Sequence, residues 1–463
     1  MTSATHRTAE EIGRTPKGPR PLPPLGTQRA AADLSHVDTV LSNGLRVLAV
    51  RKANVPMVEL RLWIPFAGTE LTHAAKAEVL AETLLTGTAR RDRIAIDTEL
   101  ALIGADLGAG VDPERLIVSG NTLSNGLPTF LDVLADSLTG ASYVDAEVGR
   151  ESERLVERLA IARTQPRTIA REALQKHRYG DHPVTRETPE AEDVAAVTPE
   201  QVRALHAGSV LPRGAVMVVV GDVDPDKVIA DIEKALQGWA SDKPAVRLPE
   251  LPELAGGQVL LVPRAGAVQS QIRLSAQALP RTDPRYAALQ MANLAFGGYF
   301  SSRLVENIRE DKGYTYSAHS GFEFTGGSAV VNVEADTASD ATAAAVLETR
   351  YELGRLGLVP PTAEEVESVR QYAIGSLVTS TASQTGLAGQ LSALAPDGLG
   401  VEWLAEHPNR LARVTADDVA QAALDFFAPK RFTGVIVGDA DLLAKKLTAL
   451  GDVIVGEPGP AES

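Results

Sequence analysis

Two residue pairs recur at the same spacing in both parts of the chain, and this internal repeat constrains the fold most. Val197-Thr198 lies 23 residues before Gly221-Asp222, and Val414-Thr415 lies 23 residues before Gly438-Asp439. The two sets are offset by 217 residues. Solenoid repeats span roughly 20 to 50 residues, so this period is far too long for one. The sequence therefore predicts two similar α/β domains in tandem.

The first copy mixes strand and helix patterns. Residues 45–50 and 58–64 predict two strands, the second from its alternation of apolar and polar side chains. Residues 73–85 and 145–164 carry apolar residues at helical spacing, and 215–220 reads as a buried strand. We therefore expect each copy to be a sheet covered by helices.

Composition sets the boundaries around the two copies. Residues 241–256 contain three prolines and few residues that favour regular structure, which predicts a linker. The first residues mix basic side chains with a Pro-Leu-Pro-Pro run and have no continuous apolar core, so they predict neither a secretory signal nor a membrane span. The predicted division is a flexible extension at 1–38, a first domain at 39–240, the linker at 241–256, a second domain at 257–455 and a tail at 456–463.

Length and charge exclude several classes of function. A chain of 463 residues exceeds what one hydrophobic core serves. The net charge of −15 argues against a nucleic-acid groove and an anionic membrane surface. With no cysteine, the chain has no disulfide, no thiolate zinc site and no cysteine nucleophile, and it suits a reducing compartment. We therefore expect a cytoplasmic protein that binds neither nucleic acid nor membrane.

The stretch 296–316 carries the most local information about function. The pair Gly297-Gly298 predicts a bend, because glycine is unfavourable inside a helix. Ser301 or Ser302 is placed to cap a following helix, and Gly313 reads as its left-handed end. A strand pattern follows. The unit predicted is loop, helix, glycine and strand.

Arg309 and Tyr316 stand on either side of that glycine. Arg309 falls in the last helical turn and Tyr316 lies seven residues later, in the strand, so the two side chains can converge on one point. A structural interpretation is also open: Arg309 compensates the dipole at a helix end, and Tyr316 is an ordinary amphipathic core residue.

The same stretch resembles the second domain of the pitrilysin/insulinase-like zinc peptidases. Their pattern GG…SSRL…R-E-x-x-G-x-x-Y stands here as Gly297-Gly298, Ser301-Ser302-Arg303-Leu304, Arg309-Glu310, Gly313 and Tyr316. The resemblance implies that Arg309 and Tyr316 are catalytic, and that they bind the substrate backbone together with Gly297 and Gly298. It also implies the α/β (α+β) fold class: two tandem, internally duplicated domains, each a mainly antiparallel sheet covered by helices.

The metal motif of that family is degenerate here. Catalytic members carry H-x-x-E-H on the helix before Gly-Thr, with two histidines for zinc and a glutamate as general base. Anchored on Gly87-Thr88, the corresponding positions are Glu78, Ala81 and Glu82. Alanine can neither orient water nor carry a proton. The third-ligand region, 153–158, still has carboxylates. We predict no metal and no other cofactor in this chain.

The chain thus resembles the metal-free subunit of a two-component peptidase, in the class that includes mitochondrial processing peptidase. This resemblance implies a heterodimer with a homologous, H-x-x-E-H-bearing subunit that holds zinc. It also implies an extended peptide as substrate, and no activity for this chain alone. Two alternatives remain open: a catalytically inert scaffold of the same fold, and a peptide-binding module without a peptidase partner.

Overall fold

A computed structural model describes residues 34–456 of the chain. Most of the predicted extension and nearly all of the predicted tail lie outside these residues. The first strand begins at His36, so residues 36–38 belong to the sheet. The predicted boundary of the extension at residue 38 therefore lies inside this strand. Within the described residues, no helix is long and apolar enough to cross a membrane.

The first half contains six strands and eight α-helices. The strands are β1 (His36–Val40), β2 (Arg46–Arg51), β3 (Met57–Pro65), β4 (Asp106–Val111), β5 (Arg115–Leu123) and β6 (Val216–Gly221). The helices are α1 (His73–Thr83), α2 (Arg93–Leu102), α3 (Leu127–Gly140), α4 (Asp145–Arg163), α5 (Pro166–Tyr179), α6 (Ala191–Ala195), α7 (Pro199–Ser209) and α8 (Pro225–Ala235).

The second half, within the described residues, also contains six strands and eight α-helices. Its strands are β7 (Val259–Pro263), β8 (Gln269–Gln277), β9 (Thr315–Thr325), β10 (Ser328–Ala338), β11 (Thr433–Gly438) and β12 (Val453–Val455). Its α-helices are α9 (Tyr286–Asn293), α10 (Arg303–Val305), α11 (Thr342–Leu358), α12 (Ala363–Ser380), α13 (Gln384–Leu394), α14 (Val401–Arg413), α15 (Ala416–Phe426) and α16 (Ala440–Thr448). Two π-helical segments, Leu294–Gly298 and Glu306–Asp311, flank α10.

Each half builds one six-stranded sheet. The strand orders are β1-β2-β6-β3-β5-β4 and β12-β7-β11-β8-β10-β9, so five consecutive positions correspond between the two sheets. Most neighbours are antiparallel; the exceptions are β2 with β6, and β7 with β11 and β12. The predicted fold class, two tandem domains with mainly antiparallel sheets and covering helices, is confirmed.

The repeated residue pairs have the same structural role in both halves. Thr198 and Thr415 are the N-caps of α7 and α15, and each forms a capping box with the residue three positions later. Gly221 and Gly438 end the following strands, β6 and β11. A Cβ on Gly221 would lie 2.3 Å from the carbonyl oxygen of Met57, so no larger residue fits there.

The two halves exchange one helix each. Helix α13 of the second half packs on the first sheet, where Leu387, Leu391 and Leu394 bury apolar residues of β2 and β6. Helix α5 of the first half lies against β8 and β11 of the second sheet. Both exchanged helices occupy the sheet face opposite the main hydrophobic core of that half. Each half therefore completes the packing of the other.

The connection between the halves is irregular. Residues 241–256 contain neither a helix nor a strand, and Val246 forms an isolated bridge with Phe66. Leu251 and Leu254 are buried, so this connection packs against the protein along part of its length.

Candidate functional site

The end of α1 holds the residues that occupy the metal-motif positions. Glu78 and Glu82 lie one helical turn apart, and the methyl group of Ala81 is buried. Ala81 offers no proton acceptor to a water molecule at this place. The general-base position of the motif is therefore empty of any group that could activate water.

An arginine takes part in this site instead of a third metal ligand. Nη2 of Arg158, on α4, lies 2.6 Å from Oε1 of Glu82. Arg158 lies in the region predicted for the third ligand and forms an ion pair with one of the motif positions. A guanidinium stays protonated and has no lone pair for a metal. Over residues 34–456, moreover, no cluster of three or more histidine or acidic side chains could hold a metal ion. These residues do not fit zinc.

Glu78 has a strongly raised pKa. Burial, and then the negative charge of Glu82, raise the pKa of Glu78 to about 7, against the opposing effect of Arg158. Glu187 lines the same small cleft and adds to the shift. Glu78 is therefore partly protonated near neutral pH, as expected for a carboxyl group moved out of water beside a like charge.

This shift predicts how stability depends on pH. Because the folded pKa lies above the unfolded value, the native chain holds more protons than the unfolded chain, and Glu78 destabilises the fold increasingly as pH rises from about 4.5 to 7. We expect Glu78→Gln to raise the melting temperature at pH 8 and to change it little at pH 4. Glu157→Gln, exposed on α4, is the matched control. A gain from Glu78→Gln that is equal at both pH values would contradict this assignment.

A cavity of about 510 Å³ opens beside this site, between α5 and the second sheet. Five arginines and five carboxylates line it, so the lining carries balanced charge: Asp112, Glu114, Arg115, Arg167, Arg171, Arg178, Glu187, Arg273, Glu323 and Glu334. Arg178 is buried and donates to Glu323 at 2.8 Å and to Ser275 at 3.1 Å. This ion pair fixes α5 on the sheet that it covers.

The Gly297-Gly298 pair lies at the end of a π-helical segment, so the bend predicted there is wrong. A Cβ on Gly297 would lie 2.9 Å from Oγ of Ser320 on β9, and a Cβ on Gly298 would lie 2.9 Å from Cδ2 of Leu294. Close packing against β9 and within the π-helical turn explains these glycines.

The helix that follows is shorter than the sequence suggests. Ser302 is the N-cap of α10, but within the described residues its buried hydroxyl has no hydrogen-bond partner. After three residues α10 gives way to the second π-helical segment. Arg303 forms a two-pronged ion pair with Glu365, at 2.9 and 3.0 Å, and donates to the carbonyl oxygen of Val359. Arg303 is thus a structural residue of the motif.

Arg309 lies in the second π-helical segment, close to an exposed aromatic ring. Its guanidinium carbon is 4.9 Å from the ring centroid of Phe300, and its Nε is 3.3 Å from Oε1 of Glu310. The arginine side chain keeps 37% exposure. Gly313 ends the segment with a φ of 65°, the left-handed conformation that was predicted. Within the described part of the chain, Glu310 is the one ion-pair partner of Arg309, so the guanidinium is held only loosely there.

Among residues 34–456, Tyr316 is the most exposed of the large apolar and aromatic side chains, at 96%. It is the extra residue of a β-bulge: Thr315 pairs with Thr337 and Ser317 with Asp336, which leaves Tyr316 without a counterpart. Bulges often re-aim a side chain beside a functional site. The interpretation of Tyr316 as an ordinary core residue is therefore wrong.

The structure places the two glycines next to β9 and leaves Arg309 and Tyr316 at one end of that strand. Over residues 34–456, no hydrogen bond joins Arg309 to Tyr316, and neither lines the large cavity. Glu323 lines that cavity and lies seven residues after Tyr316 on β9. At about 3.3 Å per residue, the two positions are roughly 23 Å apart. The Tyr316 side chain thus faces solvent far from the cavity, and Arg309 is partly exposed.

Sequence reasoning missed three features of this site. The sequence did not indicate the pairing of Arg158 with Glu82, because only the folded chain brings α4 against Glu82. The π-helical turns and the bulge each insert a residue into a regular element, which periodicity cannot locate without the neighbouring strand or helix.

Two family models match the sequence. The model described as insulinase (peptidase family M16) matches residues 47–192, and the one described as peptidase M16 inactive domain matches residues 196–372. The matches follow one another and together cover more than two thirds of the chain.

Several bacterial proteins are similar to this chain. A Streptomyces coelicolor protein described as an uncharacterised zinc protease is 27% identical over 330 residues, which cover 69% of this chain and 70% of that protein. A zinc protease of Bacillus subtilis with the same description, YmxG, is 26% identical over 355 residues, covering 74% of this chain and 83% of that protein.

Solved structures show the same fold. A peptidase M16 inactive domain from Pseudomonas fluorescens superposes with a TM-score of 0.78 at 22% identity, covering 88% of this chain and 98% of that one. A protease from Helicobacter pylori has a TM-score of 0.78 at 16% identity, covering 87% and 99%. The periplasmic protease PqqL from Escherichia coli gives 0.73 at 16% identity, covering 89% of this chain and 46% of that protein.

Proposed function

Since the chain belongs to the insulinase-like M16 peptidase family, we propose that it is the metal-free subunit of a heterodimeric metallopeptidase of the processing-peptidase kind. Its partner would be a homologue with H-x-x-E-H, and its substrate an extended peptide. One observation carries this proposal. The metal position is closed by Ala81 and by the Arg158–Glu82 ion pair, while Tyr316 is almost fully exposed and Arg309 partly exposed.

This exposure favours a role across a subunit interface. A tyrosine that is 96% exposed stabilises its own chain very little, so the bulge that presents it has no evident value for folding alone. A second chain seated on this end of β9 would bring a peptide within reach of both side chains. A pure scaffold would have no use for that arrangement.

The partner would supply the metal and the water that it activates. In this chain, the guanidinium of Arg309 and the hydroxyl of Tyr316 donate hydrogen bonds to the carbonyl region of the substrate. Both donors stabilise the negative charge that develops on the substrate oxygen. A substrate contact through the backbone of Gly297 and Gly298 is proposed from the family resemblance, while the absence of a side chain at each is explained by internal packing. Residues 78–82 take no part in the chemistry.

Assembly with a metal-bearing relative tests this proposal. We expect the purified chain to contain no stoichiometric zinc and to cleave no peptide, and the mixture with an H-x-x-E-H homologue of its own organism to elute as a heterodimer. That pair should contain one zinc and cleave a fluorogenic peptide. A pair of this kind needs an interface of roughly 1,200 Å² or more.

Two results would contradict the proposal. One is a tightly held zinc on the isolated chain, with chelator-sensitive activity. The other is a chain that stays monomeric with every such homologue. Assembly without cleavage would favour the inert scaffold, and binding of peptide without any partner would favour the peptide-binding module. The cytoplasmic location remains a prediction, made from the cysteine content.

A further inference from the structure

The backbone around Tyr316 departs from a regular strand at a single residue. On β9, Ala318 and Phe322 pack against the main core of the second half, and side chains two residues apart share a face. Tyr316 would therefore point towards that core in an unbroken strand. Its 96% exposure shows that the bulge turns it away.

A buried hydroxyl closes this bulge. Oγ1 of Thr315 lies 3.0 Å from the backbone nitrogen of Ser317, 2.6 Å from the carbonyl oxygen of Asp336 and 2.9 Å from that of Ser317. A hydroxyl has one proton, so it donates to the nearer oxygen, that of Asp336, and accepts from the nitrogen of Ser317. The Thr315 side chain thus spans the extra residue within β9 and makes one hydrogen bond to β10.

The other end of the segment is also fixed. The backbone nitrogen of Tyr314 donates to the carbonyl oxygen of Ile308 at 2.9 Å, and that of Lys312 donates to Asn307 at 3.0 Å. Arg309 follows directly after Ile308, and Tyr316 directly after Thr315. The relative position of the two functional side chains is therefore set by two anchored points, of which one is the Thr315 hydroxyl.

We propose that Thr315 is a positioning residue: its hydroxyl holds the bulge that presents Tyr316 to the substrate. This inference rests on the proposed function for its catalytic consequence, but its structural part concerns the isolated chain. A group moved by about 1 Å can lose on the order of 10² in rate, so a relaxed bulge should reduce turnover without touching the reacting atoms.

The variants separate the hydroxyl from the shape of the side chain. Thr315→Val keeps the shape and removes the hydroxyl, Thr315→Ser keeps the hydroxyl, and Thr315→Ala provides a second hydroxyl-free variant if the valine variant does not fold. The chain is labelled with 3-fluorotyrosine at its eight tyrosines, and the Tyr316 resonance is assigned by its loss in Tyr316→Phe.

In the isolated chain, we expect the ¹⁹F resonance of Tyr316 to shift or broaden in Thr315→Val and to stay unchanged in Thr315→Ser. In the assembled pair, we expect kcat to fall about 10- to 100-fold in Thr315→Val, with KM within about threefold. Thr315→Ser should restore kcat to within about threefold of the unmodified pair.

The outcomes distinguish this inference from the proposed function. An unchanged Tyr316 resonance in both hydroxyl-free variants would overturn the inference. So would full turnover of Thr315→Val in a pair that Tyr316→Phe inactivates. Full turnover of Tyr316→Phe would instead overturn the catalytic role of Tyr316, and the ¹⁹F comparison would still decide whether Thr315 holds the bulge.

Discussion

Tyr316→Phe and Arg309→Ala should each lower peptide cleavage by the assembled pair by a factor on the order of 10² to 10³. That is the usual loss when one preorganised donor to a developing negative charge is removed. The effect should fall on kcat, because the donors act most strongly on the transition state. Steady-state cleavage of a fluorogenic peptide by purified heterodimers measures it.

The same variants should leave the fold unchanged. Tyr316 buries almost no surface, and Arg309 is partly exposed beside one carboxylate and one exposed aromatic ring, so each change should cost less than about 1 kcal/mol. Tyr351→Phe, on the exposed side of α11, is the matched control and should retain full cleavage. Near-normal cleavage by a correctly assembled Arg309 or Tyr316 variant would remove that residue from the mechanism and favour the scaffold.

Leu391→Ala should destabilise the protein by about 2 to 5 kcal/mol, the range for a fully buried leucine replaced in a packed core. Leu391 belongs to α13 and is 0% exposed, but the residues around it include those of β2 and β6 in the other half. The loss should therefore weaken the first sheet. Urea unfolding measures the free energy, and hydrogen exchange shows which amides lose protection.

The control for this prediction is another leucine. Leu358→Ala, at the exposed end of α11 with 83% exposure, should change the free energy of unfolding by less than about 0.5 kcal/mol. If Leu391→Ala lowered protection in the second sheet only, the packing of α13 would not stabilise the first sheet. The prediction that the exchanged helices stabilise both halves would then be wrong.

Local rules predicted the regular elements well, for identifiable reasons. The alternating pattern at 58–64 correctly predicted β3. Successive side chains of this strand face two different layers, the main core on one side and α13 on the other. The repeated Val-Thr pairs indicated the duplication, and the structure shows why they recur: each threonine hydroxyl accepts from a free backbone nitrogen in the first turn of a helix. Both signals depend on neighbours within a few residues.

The candidate site was less predictable because its geometry comes from contacts between distant residues. Gly297 is required by Ser320 on β9, and the bulge at Tyr316 exists only relative to β10. Glu82 could be read from the sequence as a lost ligand, but its pairing with Arg158 depends on how α4 crosses α1. Residue types were therefore predictable, while their orientation was not.

The exchanged helices also decide where this protein can move. A hinge between the two halves would have to withdraw α5 from the second sheet and α13 from the first at the same time, uncovering an apolar layer and breaking the Arg178–Glu323 pair. Such an opening would expose nearly as much as local unfolding does. The two sheets should consequently keep their relative position, and in the proposed heterodimer a peptide would enter between the subunits.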